Sequence, residues 1–222
     1  MYPHLVWVSG SASSEVYGKG DQLNAGDFIK KMGKIFVSDY DGTITDKDFC
    51  SLLAEHYAPA NTPDYFAQYR EGRITHFEAM AAYFAFAPTD EQQIEELLEA
   101  SKPDPDLGTS AALLQRADWE LWVVSAGSSW YVERILKRAG VAATVYSNAG
   151  HLADGRGLVL EKLDSSSQYH SASVGVDKPA VVRHALHVAE TVAFPATDHL
   201  TCSQACSYGR SCDSREDFWP RR

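Results

Sequence analysis

The sequence contains no apolar run long enough to span a bilayer, which argues against a membrane-spanning protein. It has no excess of basic residues, and its net charge of -10 argues against a nucleic-acid-binding surface. Its four cysteines lack a paired Cys-x-x-Cys spacing, so neither a disulfide framework nor a zinc site is indicated. The short LVWV run near the amino end lacks the basic flank of a secretory signal. We therefore expect a cytoplasmic protein without nucleic-acid or membrane partners.

Two aspartates follow the apolar strand predicted in IFVSDYDGTIT, residues 35–45. Because alternate side chains of a strand point the same way, we expect Asp39 and Asp41 to converge where the chain leaves the sheet. Gly42 then allows a tight turn. One carboxylate could attack phosphorus while the other protonates the leaving oxygen. An ordinary Asp-Gly turn is the alternative interpretation.

Two further polar residues lie at the ends of predicted elements. LWVVS, residues 121–125, is typical of a buried strand that ends at Ser125 ahead of a helix, where a hydroxyl could hold a phosphate oxygen. Lys178 precedes an apolar-periodic helix, with Pro179 in its first turn. Taken singly, Ser125 could merely cap its helix and Lys178 could be a solvated side chain.

The order of these motifs resembles that of the haloacid dehalogenase (HAD) superfamily of phosphotransferases. The resemblance implies an α/β fold, a Rossmann-like core with a parallel sheet, and hydrolysis of a small phosphorylated metabolite with Mg²⁺. It also implies that Asp39 is the nucleophile and Asp41 the general acid and base. The phosphate cradle would comprise Ser125, Lys178 and backbone amides near Gly42 and Gly127.

The fourth motif of the family, Gly-Asp-Gly with a nearby acid, is missing after the strand predicted at TVAF, residues 191–194. One back-translation of Pro195 to Cys202, read from its third base, encodes Gly-Asp-Gly-Pro-Pro-Asp-Leu. We therefore expect that one base is missing after Phe194 and that residues 195–222 are out of frame. In the chain as written, Asp198 is the nearest acid that could join Asp39 and Asp41 at magnesium.

The remaining segments predict the domain organisation. Residues 1–34 are expected to be a disordered or artefactual extension, with Met32 as the natural start; residues 35–45 and 118–194 form the core, and residues 46–117 form a helical cap. Capping boxes are predicted at Thr75–Glu78 and at 89–92, and a hairpin at 148–163 with its turn at Asp154-Gly155. The cap resembles that of the subfamily that includes phosphoserine phosphatase and the methionine-salvage phosphatases. Its candidate substrate-binding residues are Arg70, Arg73 and His76.

Three other functions remain open. Without the fourth motif, the chain could be an impaired, phosphate-binding member of the family. A phosphomutase would use the same aspartyl-phosphate chemistry. A serine hydrolase using Ser125 or Ser128 is disfavoured because VSAGSS does not match the G-x-S-x-G elbow. The sequence does not indicate the oligomeric state.

Overall fold

The computed structural model of the protein describes the backbone of residues 5–9 and 32 and the structure of residues 33–195. The strands are β1 (Leu5–Ser9), β2 (Met32–Asp39), β3 (Trp119–Ser128), β4 (Thr144–Ala153), β5 (Gly157–Glu161), β6 (His170–Ser171), β7 (Gly175–Val176) and β8 (Ala189–Pro195). The helices are α1 (Phe49–His56), α2 (Tyr65–Arg70), α3 (His76–Phe84), α4 (Glu91–Ala100), α5 (Leu107–Arg116), α6 (Ser129–Arg138) and α7 (Lys178–Val188).

The main sheet has the strand order β1-β8-β2-β3-β4-β5. Strands β8, β2, β3 and β4 are parallel, while β1 and β5 pair antiparallel at the two edges. Strands β6 and β7 form a separate two-stranded ribbon. This mixed α/β architecture has a mostly parallel central sheet, as the sequence predicts, and it gathers the carboxyl ends of β2, β3 and β4 at one edge.

Alternate residues of the central strands pack into two apolar layers on opposite faces of the sheet. In β3, Leu121 and Val123 face the layer formed with the helices that follow β2, whereas Trp122 and Val124 face the layer formed with α7. In β2, Ile35 and Val37 also face α7. Because the period along a strand is two, the next residue on that face is Asp39, at the end of β2.

Two parts of the segment predicted as an extension, residues 5–9 and 32–34, lie in the main sheet. Backbone pairing places Leu5–Ser9 antiparallel to β8, from Leu5 opposite Pro195 to Ser9 opposite Thr191. Strand β2 begins at Met32 rather than at Ile35, since Met32 and Lys34 already pair with β8. An apolar, β-prone run and an unpaired sheet edge satisfy each other's hydrogen bonds, which a scan for local periodicity does not detect. Residues 1–4, 10–31 and 196–222 lie outside the described residues, and these include the segment predicted to be out of frame except for Pro195.

Helices α1 to α4, here called the cap helices, lie between β2 and β3. The capping box at the start of α3 is confirmed, because Thr75 and Glu78 each accept a hydrogen bond from the other's backbone. The predicted box at 89–92 is wrong: Asp90 caps α4 by accepting from the Gln93 N–H. Helix α5, which also falls within the predicted cap range, packs against β3.

Polar contacts attach the cap helices to the core on two sides. On α6, the Arg134 guanidinium lies 2.7 Å from Glu91 and 3.2 Å from Glu95 of α4, and stacks over Trp130 at 4.4 Å. On the other side, the Phe77 N–H of α3 donates to the Ser173 carbonyl at 2.8 Å. The cap helices are therefore tied to α6 and to the segment that leads into β7.

The predicted hairpin is confirmed as β4 and β5, which are joined by a turn at residues 154–156. It packs against α3. Within residues 32–195, no helix combines the length and apolarity that crossing a membrane requires.

Gly157 lies where this hairpin contacts the end of α3. Its φ is +65°, and a Cβ there would lie 2.5 Å from the Ala85 carbonyl oxygen. Gly155 has a similar φ of +69°, but beyond its chain neighbours no atom lies within 4 Å of the place that a Cβ would take. The two glycines therefore share the backbone requirement and differ in the space around them.

We expect Gly155→Ala to lower the free energy of unfolding by ~1–2 kcal/mol, the cost of a left-handed backbone at alanine. Gly157→Ala should lose this amount and a further ~1–3 kcal/mol, because the methyl group would overlap the α3 backbone. Urea unfolding of both variants and the parent measures the difference. Equal losses of unfolding free energy in the two variants would mean that Gly157 is not in close contact with the α3 backbone.

Candidate active site

Asp39 and Lys178 form an ion pair at the carboxyl edge of the sheet. The Lys178 ammonium lies 2.6 Å from Asp39 Oδ1, which also accepts the Tyr40 N–H at 2.8 Å. The side chains of Asp39 and Lys178 are 15% and 23% exposed, so the pair is shielded but accessible. Lys178 reaches this position because it is the first residue of α7, which Asp177 caps by accepting from the Ala180 N–H.

Asp41 lies beyond β2, in the turn that follows it. The turn is closed by the N–H groups of Thr43, Ile44 and Thr45, which all donate to the Tyr40 carbonyl, and it passes through Gly42 at φ +77°. The sequence predicts that the two aspartates converge as alternate residues of one strand. In the structure, Asp39 ends β2 and Asp41 lies in the turn that follows. Because of this turn, the carboxylates of Asp39 and Asp41 have different hydrogen-bond partners.

Three donors converge on the Asp41 carboxylate. The Phe49 N–H, at the start of α1, donates to Oδ1 at 3.1 Å. The hydroxyls of Ser125 and Tyr131 donate to Oδ2 at 3.3 and 3.2 Å. Asp41 is therefore linked to β3 and α6 by side chains, while Asp39 is linked to α7.

Burial is the main cause that raises the pKa of Asp41 from 3.8 to about 7, with further contributions from the charges of Asp48 and Asp39. The hydrogen bonds from Phe49 and Tyr131 oppose this shift. Burial and the Asp41 charge also raise the pKa of Tyr131 well above 10, so its hydroxyl keeps its proton and acts as a donor. Asp41 can consequently carry a proton near neutral pH, which an acid catalyst requires.

Ser125 is buried within β3, which continues to Ser128. Its hydroxyl contacts Asp41 and accepts the Gly127 N–H at 2.9 Å. Ser128, and not Ser125, caps α6 by accepting from the Trp130 N–H. The capping interpretation of Ser125 is therefore wrong, and the Gly127 amide is occupied by Ser125 in this structure.

Gly127 leaves room for the hydroxyl of Tyr131. A Cβ at Gly127 would lie 1.7 Å from that hydroxyl oxygen and 3.1 Å from Ser125 Oγ. In the sequence, Tyr131 belongs only to the helix predicted after Ser125. Its phenol hydroxyl, which needs a hydrogen-bond partner when the ring is buried, was the available signal of a polar role.

Asn148 is a second residue that the motifs did not indicate. It is fully buried, and its amide nitrogen donates to the carbonyls of Ala126, at 2.7 Å, and Val174, at 3.1 Å. It thereby joins the segment after Ser125 to the segment before Lys178. A polar residue near the carboxyl ends of the neighbouring strands was the available signal.

The three cap candidates occupy different environments. Arg70 pairs with Asp64 at 3.3 Å and Arg73 pairs with Glu71, and both arginine side chains are more than half exposed, at 64% and 58%. His76 is partly buried against the rings of Phe66 and Tyr69. Its Nδ1 is buried without a hydrogen-bond partner among the described residues. Burial and the Lys178 charge lower the pKa of His76 and favour its neutral form.

The carboxylate of Asp39 and the backbone carbonyl of Asp41 offer oxygen atoms suited to magnesium. This ion typically takes one or two carboxylates in addition to water and phosphate. Within residues 33–195, no cluster of three His, Cys, Asp or Glu side chains forms a complete metal site. Asp198, the third candidate ligand, lies outside the described residues. Strand β8 ends at Pro195 on the same sheet edge as Asp39, since Ala193 pairs with Phe36.

Comparison with protein families matches residues 36–201 to the haloacid dehalogenase-like hydrolases. The chain is 24% identical over 160 residues to a 2-hydroxy-3-keto-5-methylthiopentenyl-1-phosphate phosphatase from Lysinibacillus sphaericus (strain C3-41), covering 68% of this chain and 69% of that protein.

Two solved structures are also similar. The HAD family hydrolase t0658 from Salmonella enterica subsp. enterica serovar Typhi has a TM-score of 0.51 at 14% identity, over 68% of this chain and 50% of its own. A phosphoserine phosphohydrolase-like protein from Francisella tularensis subsp. tularensis SCHU S4 has a TM-score of 0.46 at 16% identity, over 68% and 72%. The chain thus spans half of the Salmonella protein, whose similarity supports the fold class.

The raised pKa of Asp41 predicts how the stability of the metal-free protein depends on pH. Between the unfolded value of 3.8 and the folded value of about 7, the folded protein retains a proton that the unfolded chain has lost, so stability falls as pH rises through this window. In EDTA, the free energy of unfolding of the parent should therefore fall by on the order of a few kcal/mol across this window. In Asp41→Asn this fall should be absent. Unfolding at pH 5 and pH 8 measures it.

The control is Asp46→Asn, because the Asp46 side chain is 70% exposed and pairs with Lys102 at the surface. It should follow the parent's pH dependence. If Asp41→Asn also follows the parent, the Asp41 carboxyl is not the group that titrates between these values.

Proposed function

The chain belongs to the haloacid dehalogenase-like hydrolases, and we propose that it hydrolyses a small-molecule phosphate monoester through an aspartyl-phosphate on Asp39. The observation that carries this proposal is the arrangement at the sheet edge: a carboxylate 2.6 Å from a lysine ammonium, beside a second carboxylate held by three donors. The first is suited to nucleophilic attack and the second to proton transfer.

In the first half-reaction, a carboxylate oxygen of Asp39 forms a bond to phosphorus while the ester P–O bond breaks. The bonding pair stays on the leaving oxygen, which takes the proton carried by Asp41. In the second half-reaction, Asp41 accepts a proton from water as the water oxygen attacks phosphorus. The P–O bond to Asp39 then breaks, which restores its carboxylate and releases inorganic phosphate.

Lys178 and Ser125 are the residues proposed to hold the phosphoryl oxygens. The Lys178 ammonium offsets both the Asp39 charge and the phosphate charge. The Ser125 hydroxyl can exchange Asp41 for a phosphate oxygen, and Gly42 and Gly127 leave the backbone room to approach the same group. Magnesium bound by Asp39, Asp41 and an acid after β8 would screen the phosphate from the two carboxylates.

The substrate class is proposed from the named relative and from the cap. The Lysinibacillus protein is named for an enol phosphate with a methylthio group. In this chain, His76 and the rings of Phe66 and Tyr69 give the cap an aromatic, uncharged surface beside Lys178. We therefore propose a small phosphate ester with an uncharged, partly apolar leaving group, in preference to phosphoserine.

Asp39→Asn tests the nucleophile. Because an amide cannot form the aspartyl-phosphate, we expect magnesium-dependent hydrolysis of p-nitrophenyl phosphate to fall by at least ~10³-fold. Asp46→Asn, which alters an exposed carboxylate, should keep the parent's rate. Release of inorganic phosphate is the measurement, and sustained turnover by Asp39→Asn would exclude the mechanism.

The same assay separates the enzyme from a phosphate-binding protein. A parent chain that binds inorganic phosphate in calorimetry but shows no magnesium-dependent turnover would favour the non-catalytic alternative. That outcome would be consistent with a metal site left incomplete after Phe194.

Among the cap candidates, we expect His76→Ala to have the largest effect on substrate binding. Loss of one hydrogen bond to the leaving group should raise KM by about tenfold with a smaller change in kcat. Arg70→Ala and Arg73→Ala serve as matched controls and should change KM less than about twofold, since exposed pairs contribute little. Steady-state kinetics with the methylthio enol phosphate provides the test. An unchanged KM in His76→Ala would remove this residue from the substrate site.

A further inference from the structure

We propose that Tyr131 is a positioning residue that holds the Asp41 carboxyl in the orientation from which its proton reaches the leaving oxygen. This inference rests on the proposed phosphate-ester hydrolysis. It assigns a role to a side chain that belongs to none of the phosphate or metal motifs. Tyr131 does not touch the substrate in this scheme; it acts through Asp41.

The donors on Asp41 are divided between its two oxygens. The Phe49 N–H contacts Oδ1 at 3.1 Å, and the Tyr131 hydroxyl contacts Oδ2 at 3.2 Å. A carboxyl group held at one oxygen can still rotate about its Cβ–Cγ bond, whereas donors on both oxygens fix its plane. Proton transfer depends on this alignment, because hydrogen bonds weaken steeply as the angle departs from linearity.

Ser125 also donates to Oδ2, at 3.3 Å, but it has a second role. Its hydroxyl has one proton, which must turn from Asp41 if it is to donate to a phosphate oxygen. The Tyr131 hydroxyl then remains as the side-chain donor to Oδ2 among the described contacts. Asp41 can therefore stay aligned at the moment when Ser125 engages the phosphoryl group.

The phenol ring of Tyr131 is itself held rigidly. It is 1% exposed and stacks on the Phe49 ring at 4.3 Å between centroids, with the Phe84 and Tyr40 rings at 6.0 and 5.5 Å. Phe49 thus supports Asp41 twice, through its backbone N–H and through the ring that supports Tyr131. Gly127 completes the arrangement, since any Cβ there would overlap the Tyr131 hydroxyl.

The test uses two esters that differ in their need for a proton. The p-nitrophenolate group leaves without protonation, whereas the alkoxide of glycerol phosphate requires a proton from Asp41 as the P–O bond breaks. We expect Tyr131→Phe to lower kcat/KM for glycerol phosphate by about tenfold and for p-nitrophenyl phosphate by less than about twofold. Asp41→Asn should show the same selectivity to a greater degree.

Tyr146→Phe is the matched control, because it removes a phenol hydroxyl from the aromatic group that Tyr146 forms with Trp122 and Tyr169, in the layer against α7. It should leave the ratio of the two kcat/KM values unchanged. Because both esters are assayed on one sample, this ratio is independent of the folded fraction, so partial unfolding of Tyr131→Phe would not mimic the expected result.

The outcomes separate this inference from the function on which it rests. A parent chain that hydrolyses neither ester overturns the phosphatase and the role of Tyr131 together. A parent that hydrolyses both, with Tyr131→Phe losing equally on each or on neither, leaves the phosphatase in place and overturns the positioning role. A selective loss for glycerol phosphate, shared with Asp41→Asn and absent from Tyr146→Phe, supports it.

Discussion

The ion pair between Lys178 and Asp39 joins residues 139 positions apart, at a distance of 2.6 Å. Removing one member of a shielded pair leaves the other charge uncompensated, so the pair requires that β2 and α7 be in place together. The apolar packing of Ile35 and Val37 against α7 places Asp39 on the same face of β2, where it meets Lys178. Directly after this pair, the turn brings Asp41 to the hydroxyls that reach it from β3 and α6.

The sequence was sufficient to predict the fold class, the family and the hydrolase class because in parallel α/β proteins the chemistry lies where strands end. Asp39 and Lys178 could each be placed at the end of a strand or the start of a helix from local pattern alone, whereas Ser125 lies within β3 and not at its predicted end. Local chemistry also identified the Thr75 capping box. The capping box predicted at Thr89 is wrong because Asp90, the next residue, is an equally good N-cap. The sequence pattern cannot rank two adjacent candidates.

The parts that could not be predicted depend on contacts distant in sequence. The pairing of Leu5–Ser9 with β8 is a property of an available sheet edge, and nothing within that segment specifies it. Tyr131 and Asn148 resemble a helical stripe residue and a hairpin residue until their neighbours are known. The environments of Arg70, Arg73 and His76 likewise depend on tertiary packing, since the spacing of the three residues does not distinguish exposed ion pairs from a partly buried imidazole.

The residue that position 127 can accept depends on the side chain at position 131. With only 1.7 Å between a Cβ at position 127 and the phenol oxygen at position 131, Gly127 cannot gain a side chain while Tyr131 keeps its present position. Members of the family that carry a side chain at the position of Gly127 should have a smaller residue, or a ring turned elsewhere, at the position of Tyr131. Under the proposed role of Tyr131, such chains would need another way to orient their second aspartate, and covariation of these two positions would mark the lineages that use the tyrosine for it.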